Sequence, residues 1–250
     1  MNGAANVGLK YDDSAVDNKI TGYREIDVNV LASVETDAGL TFGMSFDLDP
    51  NPAQVTDAEV SVSGAFGTVT IGAVDPANDQ FFGAQEVGFD GIGVDDAAEG
   101  AYYGVSSADL LYSYSVGALS VAASINTASA ADEYAIGVQY KGPVTVNFGY
   151  ADNGTDNTVT TAGLKGSAGA VSYNVSVADY DLTGTGYGVG GSYKVNDALA
   201  LQVAYASNDW DVDASYGVGF TYDLGGATLG GAAGSINGVT KADLGVNFSF

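Results

Sequence analysis

The side chains that could do chemistry in this sequence are almost all carboxylates. The chain has 31 Asp and Glu against 7 Lys and Arg, a formal charge of −24, and neither histidine nor cysteine. Without histidine there is no Ser–His dyad and no imidazole ligand for a metal, and without cysteine there is no disulfide or thiolate site. The negative charge would repel nucleic-acid phosphates. We therefore expect neither an enzyme nor a nucleic-acid partner, and the carboxylates suit an electrostatic field or a hard cation.

The densest group of carboxylates lies in the segment 75–108, which contains no basic residue. Its acids are Asp75, Asp79, Glu86, Asp90, Asp95, Asp96 and Glu99. Calcium takes six to eight oxygen ligands, which an acidic, glycine-rich segment supplies, so Asp75, Asp79, Asp95 and Asp96 are candidate calcium ligands. Their spacing does not match the EF-hand pattern, and a hydrated acidic loop without metal accounts for the same residues. The sequence requires no cofactor, and calcium stays open as an alternative.

The elements that must carry these acids follow a repeat of period two. In the last segment Ala242, Leu244, Val246, Phe248 and Phe250 alternate with polar or small residues. The same alternation recurs along the chain in segments of roughly ten residues, separated by turn residues. This pattern predicts an all-β fold, a transmembrane antiparallel β-barrel of about sixteen strands, with the whole chain as one domain. A soluble β-sandwich also alternates, but the Ser, Thr, Gly, Asn and charged residues of the second parity are poor material for a core.

The connections between these segments predict the topology. Short links, such as 36–39 and 224–226, alternate with longer polar links, such as 50–57 and 235–239. An even number of strands then places both termini on the short-turn side. The segment 75–108 is much longer, and such loops are usually functional. Since a sixteen-strand barrel encloses an aqueous lumen, we expect this third external loop to fold into the lumen and narrow it.

The alternation also predicts which charged residues line the constriction. The inward parity of the wall contains Lys10, Glu25, Asp27, Asp47 and Glu59, and the loop adds Glu86, Asp90, Asp95, Asp96 and Glu99. Further inward lysines, Lys141, Lys194 and Lys241, are expected near the short-turn rim. Arg24 has the outward parity, where a charge is costly at mid-membrane. We therefore expect Arg24 near an interface, or a bulge that shifts the register.

Several segments resemble a known family. The sequence contains, in order, TDAGLTFGMSF, VSVSGAFGTVTIG followed by QEVGFDG, LLYSYSVGALSVAAS, YDLGGATLGG and the terminal ADLGVNFSF. These segments resemble the general porins of purple alphaproteobacteria, the Rhodobacter type, and the region from about 130 to 200 is less similar. The resemblance implies a homotrimer of sixteen-stranded barrels, integral to the bacterial outer membrane and surrounded by its lipid, with the third external loop inside. It also implies that Phe250 is the terminal aromatic residue read by the assembly machinery.

The function implied is passive diffusion of small hydrophilic solutes and ions through a water-filled channel. Porins of this type usually face the acidic loop with a cluster of arginines, whereas this chain has a single arginine, Arg24. Because the lumen acids outnumber the lumen lysines, we expect a preference for cations. The alternative is a soluble or surface-attached acidic calcium-binding β-protein, similar to an adhesin. It would need fixed repeats such as G-G-x-G-x-D, which the sequence lacks.

Overall fold

Within the residues that the computed structural model describes, 1–50, 53–100 and 108–250, sixteen strands form a closed antiparallel barrel. Every strand pairs with its neighbours in sequence, and β1 pairs with β16 to close the barrel. The strands are β1 (Asn2–Asp12), β2 (Ile20–Glu35), β3 (Thr41–Pro50), β4 (Ala53–Gly64), β5 (Gly67–Val74), β6 (Ala108–Val116), β7 (Leu119–Ile125), β8 (Tyr134–Lys141), β9 (Val144–Asp152), β10 (Thr158–Ala168), β11 (Val171–Tyr180), β12 (Gly184–Lys194), β13 (Leu199–Asn208), β14 (Ser215–Asp223), β15 (Thr228–Ile236) and β16 (Val239–Ser249). The predicted all-β barrel and its number of strands are confirmed.

The alternation of the sequence produces the two faces of this barrel. Leu9 on β1 lies directly opposite Leu244 on β16, and both side chains point outward and are about half exposed, at 54% and 50%. Their inward neighbours, Gly8 and Gly245, are also paired with each other. The apolar side chains of this outer band are suited to contact with lipid. The closed barrel also pairs the backbone groups of the described strands, so none is left unpaired in the hydrocarbon.

The chain ends meet at the short-turn end of the barrel. Gly3 and Phe250 exchange two backbone hydrogen bonds, of 2.8 and 2.9 Å. The first short turn, at 36–39, is stabilised by the Leu40 amide, which donates to Thr36 Oγ1 at 3.1 Å, and by Gly39 at φ 77°. Gly has no Cβ and adopts this left-handed conformation without strain.

Two of the longer links are tighter than the sequence predicted. β3 ends at Pro50 and β4 begins at Ala53, so most of 50–57 is strand, and only Asn237 and Gly238 separate β15 from β16. The expected height of Lys241 was therefore wrong. Lys241 is the third residue of β16, opposite Asp12, and lies at the long-loop end rather than at the rim where it was expected. Parity determines the face of a side chain, but it does not determine its height in the barrel.

The third long connection starts after β5 and contains a six-residue helix, α1 (Val94–Glu99). Part of the predicted loop 75–108, residues 101–107, lies outside the described residues. In the part of the chain that is described, no helix is long and apolar enough to cross a membrane.

The buried residues lie inside the barrel, between this loop and the inner wall. Ala77 and Ala98 of the loop are fully buried, as are Ala151 on β9 and Ala178 on β11. Small inward side chains on β7–β14 let the loop backbone approach the sheet closely. On the other side, Glu25 and Asp27 of β2 stay exposed. The loop therefore fills one side of the lumen and does not cover the wall formed by β2–β5, which we call the open wall.

Candidate constriction site

The constriction loop first lies against the wall formed by β7–β9. The amide of Ala77 donates to Ser124 Oγ on β7 at 2.9 Å, and the Ala77 carbonyl packs directly over Gly137 on β8. Asn78 packs against Gly149 on β9. These contacts involve the face opposite to the apolar outer band, so the loop lies within the lumen.

The tip of the loop lies across the lumen, on the wall formed by β15, β16 and β1. Phe89 is 5% exposed and rests on three inward glycines, Gly8, Gly230 and Gly245, which we call the glycine socket. A Cβ atom at Gly245 would lie 2.5 Å from the Phe89 ring, and one at Gly230 would lie 2.9 Å from Phe89 Cβ. The ring occupies the space that side chains would fill at other positions of the wall.

A buried carboxylate holds the backbone of this tip. Asp243 on β16 is 7% exposed, and its Oδ2 accepts hydrogen bonds from the amides of Phe89 and Asp90, each at 3.1 Å. Its Oδ1 accepts from the amide of Ala232 on β15 at 2.8 Å. Asn247 Nδ2 donates to the Phe89 carbonyl at 2.8 Å. No role was predicted for Asp243, Asn247 or Phe89 from the sequence, and the one signal in the chain was an acid, Asp243, at inward parity between Lys241 and Gly245.

Lys10 connects the tip to the wall electrostatically. Its ammonium group forms a salt bridge with Asp90 and lies 4.1 Å from the centroid of the Tyr23 ring. Tyr23 in turn meets Phe89 edge to face, with ring centroids 5.7 Å apart. The positive charge that this wall presents at Lys10 is thus neutralised by the loop.

The returning arm of the loop packs on β11–β14 through α1. Asn208 Nδ2 donates to the Ala97 carbonyl at 2.8 Å, and Tyr180 Oη donates to the Glu99 carbonyl. The Glu99 carboxylate accepts the amide of Ala84 at 2.5 Å. Glu99, which was expected among the constriction acids, therefore joins the two arms of the loop through its carboxylate.

The open wall carries the other predicted acids on its inner face. Tyr23 Oη and Asn6 Nδ2 donate to Glu25 at 3.0 and 3.1 Å. Asn29 Nδ2 donates to Asp47 at 2.5 Å. The remaining wall acids are Asp27, opposite Ala4, and Glu59, which accepts from Ser45 Oγ at 3.5 Å.

Arg24 has the outward orientation that its parity predicted. It lies directly opposite Val7, in a β1–β2 ladder that runs without a register shift from Asn2 to Tyr11. The alternative of a bulge that turns Arg24 inward is therefore wrong.

Four loop acids line a cavity between the tip and the wall. The cavity is about 430 Å³ and contains Glu86, Asp90, Asp95 and Asp96 on the loop side, with Lys10 and Lys241 on the wall. Burial, and next the charge of Asp95, raise the pKa of Glu86. Burial, and next the charge of Asp96, raise the pKa of Asp95. These carboxylates concentrate negative charge where the lumen is narrowed.

The comparisons with known proteins identify the family. The profile of the Gram-negative porin family matches residues 1–247. The chain belongs to the Gram-negative porin family. Its sequence is 29% identical to the porin of Rhodobacter capsulatus over 86% of this chain and 89% of that protein. Two mutant forms of the Rhodopseudomonas blastica porin share the fold, with TM-scores of 0.87 and 0.86 at 20% and 21% identity, each covering 100% of this chain and 99% of the other.

Membership of this family establishes the setting of the site. This porin is an integral protein of the outer membrane, and its barrel forms a channel. The resemblance to Rhodobacter-type porins that the sequence motifs suggested is confirmed.

The four candidate calcium ligands of this porin lie apart. Asp75 and Asp79 flank Ala77, which is bonded to β7, whereas Asp95 and Asp96 line the cavity beside β1 and β16. Among the described residues, no group of three or more acids is placed to hold a metal ion. Calcium binding stays an untested alternative, and no contact among the described residues favours the adhesin-like protein.

Phe250 lies at the short-turn end of the barrel, paired with Gly3. The residue is 64% exposed, and its ring lies against Gly3 with its centroid 6.4 Å from that of Phe248. Its role in assembly stays a prediction.

Proposed function

We propose that this porin is a diffusion pore for small hydrophilic solutes and that it prefers cations. The observation that carries the proposal is the charge of the open wall. From Ile20 to Val74, the segment that forms β2–β5, the only basic residue is Arg24, and it faces outward. The same strands present Glu25, Asp27, Asp47 and Glu59 to the lumen.

Lys10, on the neighbouring strand β1, does not offset these acids. Lys10 is paired with Asp90, so its charge is balanced within the constriction itself. Carboxylates around a water-filled opening raise the local concentration of cations and exclude anions. The structure has an acidic loop, but no cluster of arginines stands opposite to it, since the chain has one arginine.

We further propose that the channel is a homotrimer surrounded by outer-membrane lipid. The proposal follows the resemblance to Rhodobacter-type porins, and the apolar outer band is compatible with both lipid and protein contacts. A trimer predicts that the conductance of one inserted particle closes in three equal steps under high voltage. A single closing step would contradict it.

The test of the selectivity is a reversal potential in a planar bilayer under a tenfold KCl gradient. We expect the sign of a cation-selective pore. The double variant Glu25→Gln with Asp47→Asn should lower the selectivity, whereas Asp37→Asn, in the turn at 36–39, is the matched control and should leave it unchanged. An anion-selective sign, or no selectivity, would contradict the proposed preference. Swelling of liposomes in neutral sugars measures solute diffusion independently of charge.

A further inference from the structure

The tip of the constriction loop depends on the wall for its hydrogen bonds. Residues 82–93 form neither helix nor strand, so their amides have no ladder to pair with. A buried amide without a partner is costly. The amides of Phe89 and Asp90 both donate to Asp243 Oδ2, and the amide of Gly88 donates to Gln202 Oε1 at 3.3 Å.

Asp243 is itself held rigidly in the wall. It sits in the middle strand of three, opposite Lys10 on β1 and Ala232 on β15. Ala232 donates to its second oxygen, so the carboxylate accepts bonds from the wall and from the loop at once. Hydrogen bonds to an ionised acceptor are about twice as strong as those between neutral groups. The loop tip is therefore attached to a point that does not move with the loop.

The packing of the Phe89 side chain attaches the loop tip to the same wall a second time. The Phe89 ring fills the glycine socket, and any side chain at Gly245 would overlap it. Because Asp243 and Gly245 are successive inward positions of β16, the polar and the apolar contacts act on the same turn of the loop.

We propose that Asp243 is the positioning residue of the constriction, and that with the glycine socket it closes the side of the lumen along β15, β16 and β1. Diffusion is then confined to the acidic wall of β2–β4. This inference rests on the proposed pore function. Release of the tip moves Asp90 away from Lys10 and widens the passage beside β1, so the conductance rises and the cation preference falls.

The experiment uses two variants that disturb the attachment from opposite sides. Asp243→Asn keeps the size of the side chain but presents an amide group to backbone donors. Gly245→Ala leaves Asp243 unchanged and displaces the Phe89 ring. For each variant, single-channel records should show a level above that of the unaltered porin, with the ratio of released to attached states raised about tenfold or more. The permeability ratio should move toward anions, and larger sugars should enter liposomes faster.

Matched controls separate positioning from general damage. Gly22→Ala adds a methyl group on β2 where no atom lies within 4 Å, and Asp223→Asn removes a carboxylate that accepts the amide of Gly225 in a turn. Both controls should conduct like the unaltered porin. Heat-dependent migration on denaturing gels identifies folded barrels before each recording.

The outcomes distinguish this inference from the proposed function. Unchanged conductance, selectivity and sugar uptake in folded Asp243→Asn and Gly245→Ala barrels would overturn the positioning role, whatever the selectivity of the unaltered porin. If one variant does not assemble, the other and Phe89→Gly, which empties the socket, decide the question in the same way. Failure of the proposed preference would instead appear in the reversal potential of the unaltered porin.

Discussion

The salt bridge between Lys10 and Asp90 allows the effect of charge on ion selectivity to be tested with two variants that break the same contact but change the charge in opposite directions. Lys10→Gln and Asp90→Asn both break the same contact. The first leaves one uncompensated negative charge at the constriction, and the second leaves one positive charge. Because the two side chains are 34% and 15% exposed, they are in contact with lumen water, and the altered charge acts on passing ions.

The expected magnitude follows from Coulomb's law. For an ion passing about 6 Å from the unpaired group, the interaction in water is about 0.7 kcal/mol, and screening at 0.1 M salt reduces it to about 0.4 kcal/mol. A cation is then about twofold favoured and an anion about twofold disfavoured, so the permeability ratio changes about fourfold. Lys10→Gln should increase the cation preference by this factor, and Asp90→Asn should decrease it.

The assay is the reversal potential of single porins at low ionic strength, repeated at about 1 M salt, where the Debye length is near 3 Å and the difference should largely vanish. Arg24→Gln is the matched control, since it removes the same charge from the outer face opposite Val7 and should leave the selectivity unchanged. If Lys10→Gln and Asp90→Asn shift the selectivity in the same direction, the effect comes from the broken contact, and the electrostatic reasoning is refuted. If neither shifts it, the pair does not face the path of the ions.

Three further predictions concern the acids. Burial raises the pKa of Glu86 and Asp95, so their negative charge is lost as the pH falls through the raised pKa values. As the pH is lowered, the cation preference should therefore begin to decline at a pH above the range near 4 in which ordinary carboxylates titrate. Glu86→Gln should remove part of that decline in a pH series of reversal potentials. Since protonation is easier in the folded loop than in the unfolded chain, the same groups should favour the folded state more at acidic than at neutral pH, which urea unfolding at the two pH values measures. Because the candidate calcium ligands lie apart, a calcium chelator should leave the conductance unchanged, and a chelator-dependent step would instead reveal a cation site.

Much of the fold was predictable because its cause is local. Strand residues alternate between two faces, so the parity of Leu244 and Arg24 was enough to place them on the outer face. Parity likewise placed the wall acids, Glu25 and Asp47 among them, on the inner face. Height was less predictable, as Lys241 shows, because it depends on where each link ends, and short polar links differ little in sequence from strand ends.

The sequence by itself determined a closed barrel with an apolar outside, an acidic inside and one long acidic loop, because each of these is a property of neighbouring residues or of composition. Only the tertiary structure decided which wall the loop meets, and therefore which side of the lumen is open. Phe89 contacts Gly8, Gly230 and Gly245, and its amide is bound by Asp243. These residues come together only when β16 closes on β1, and no local pattern in the chain records which residues of the loop meet that wall.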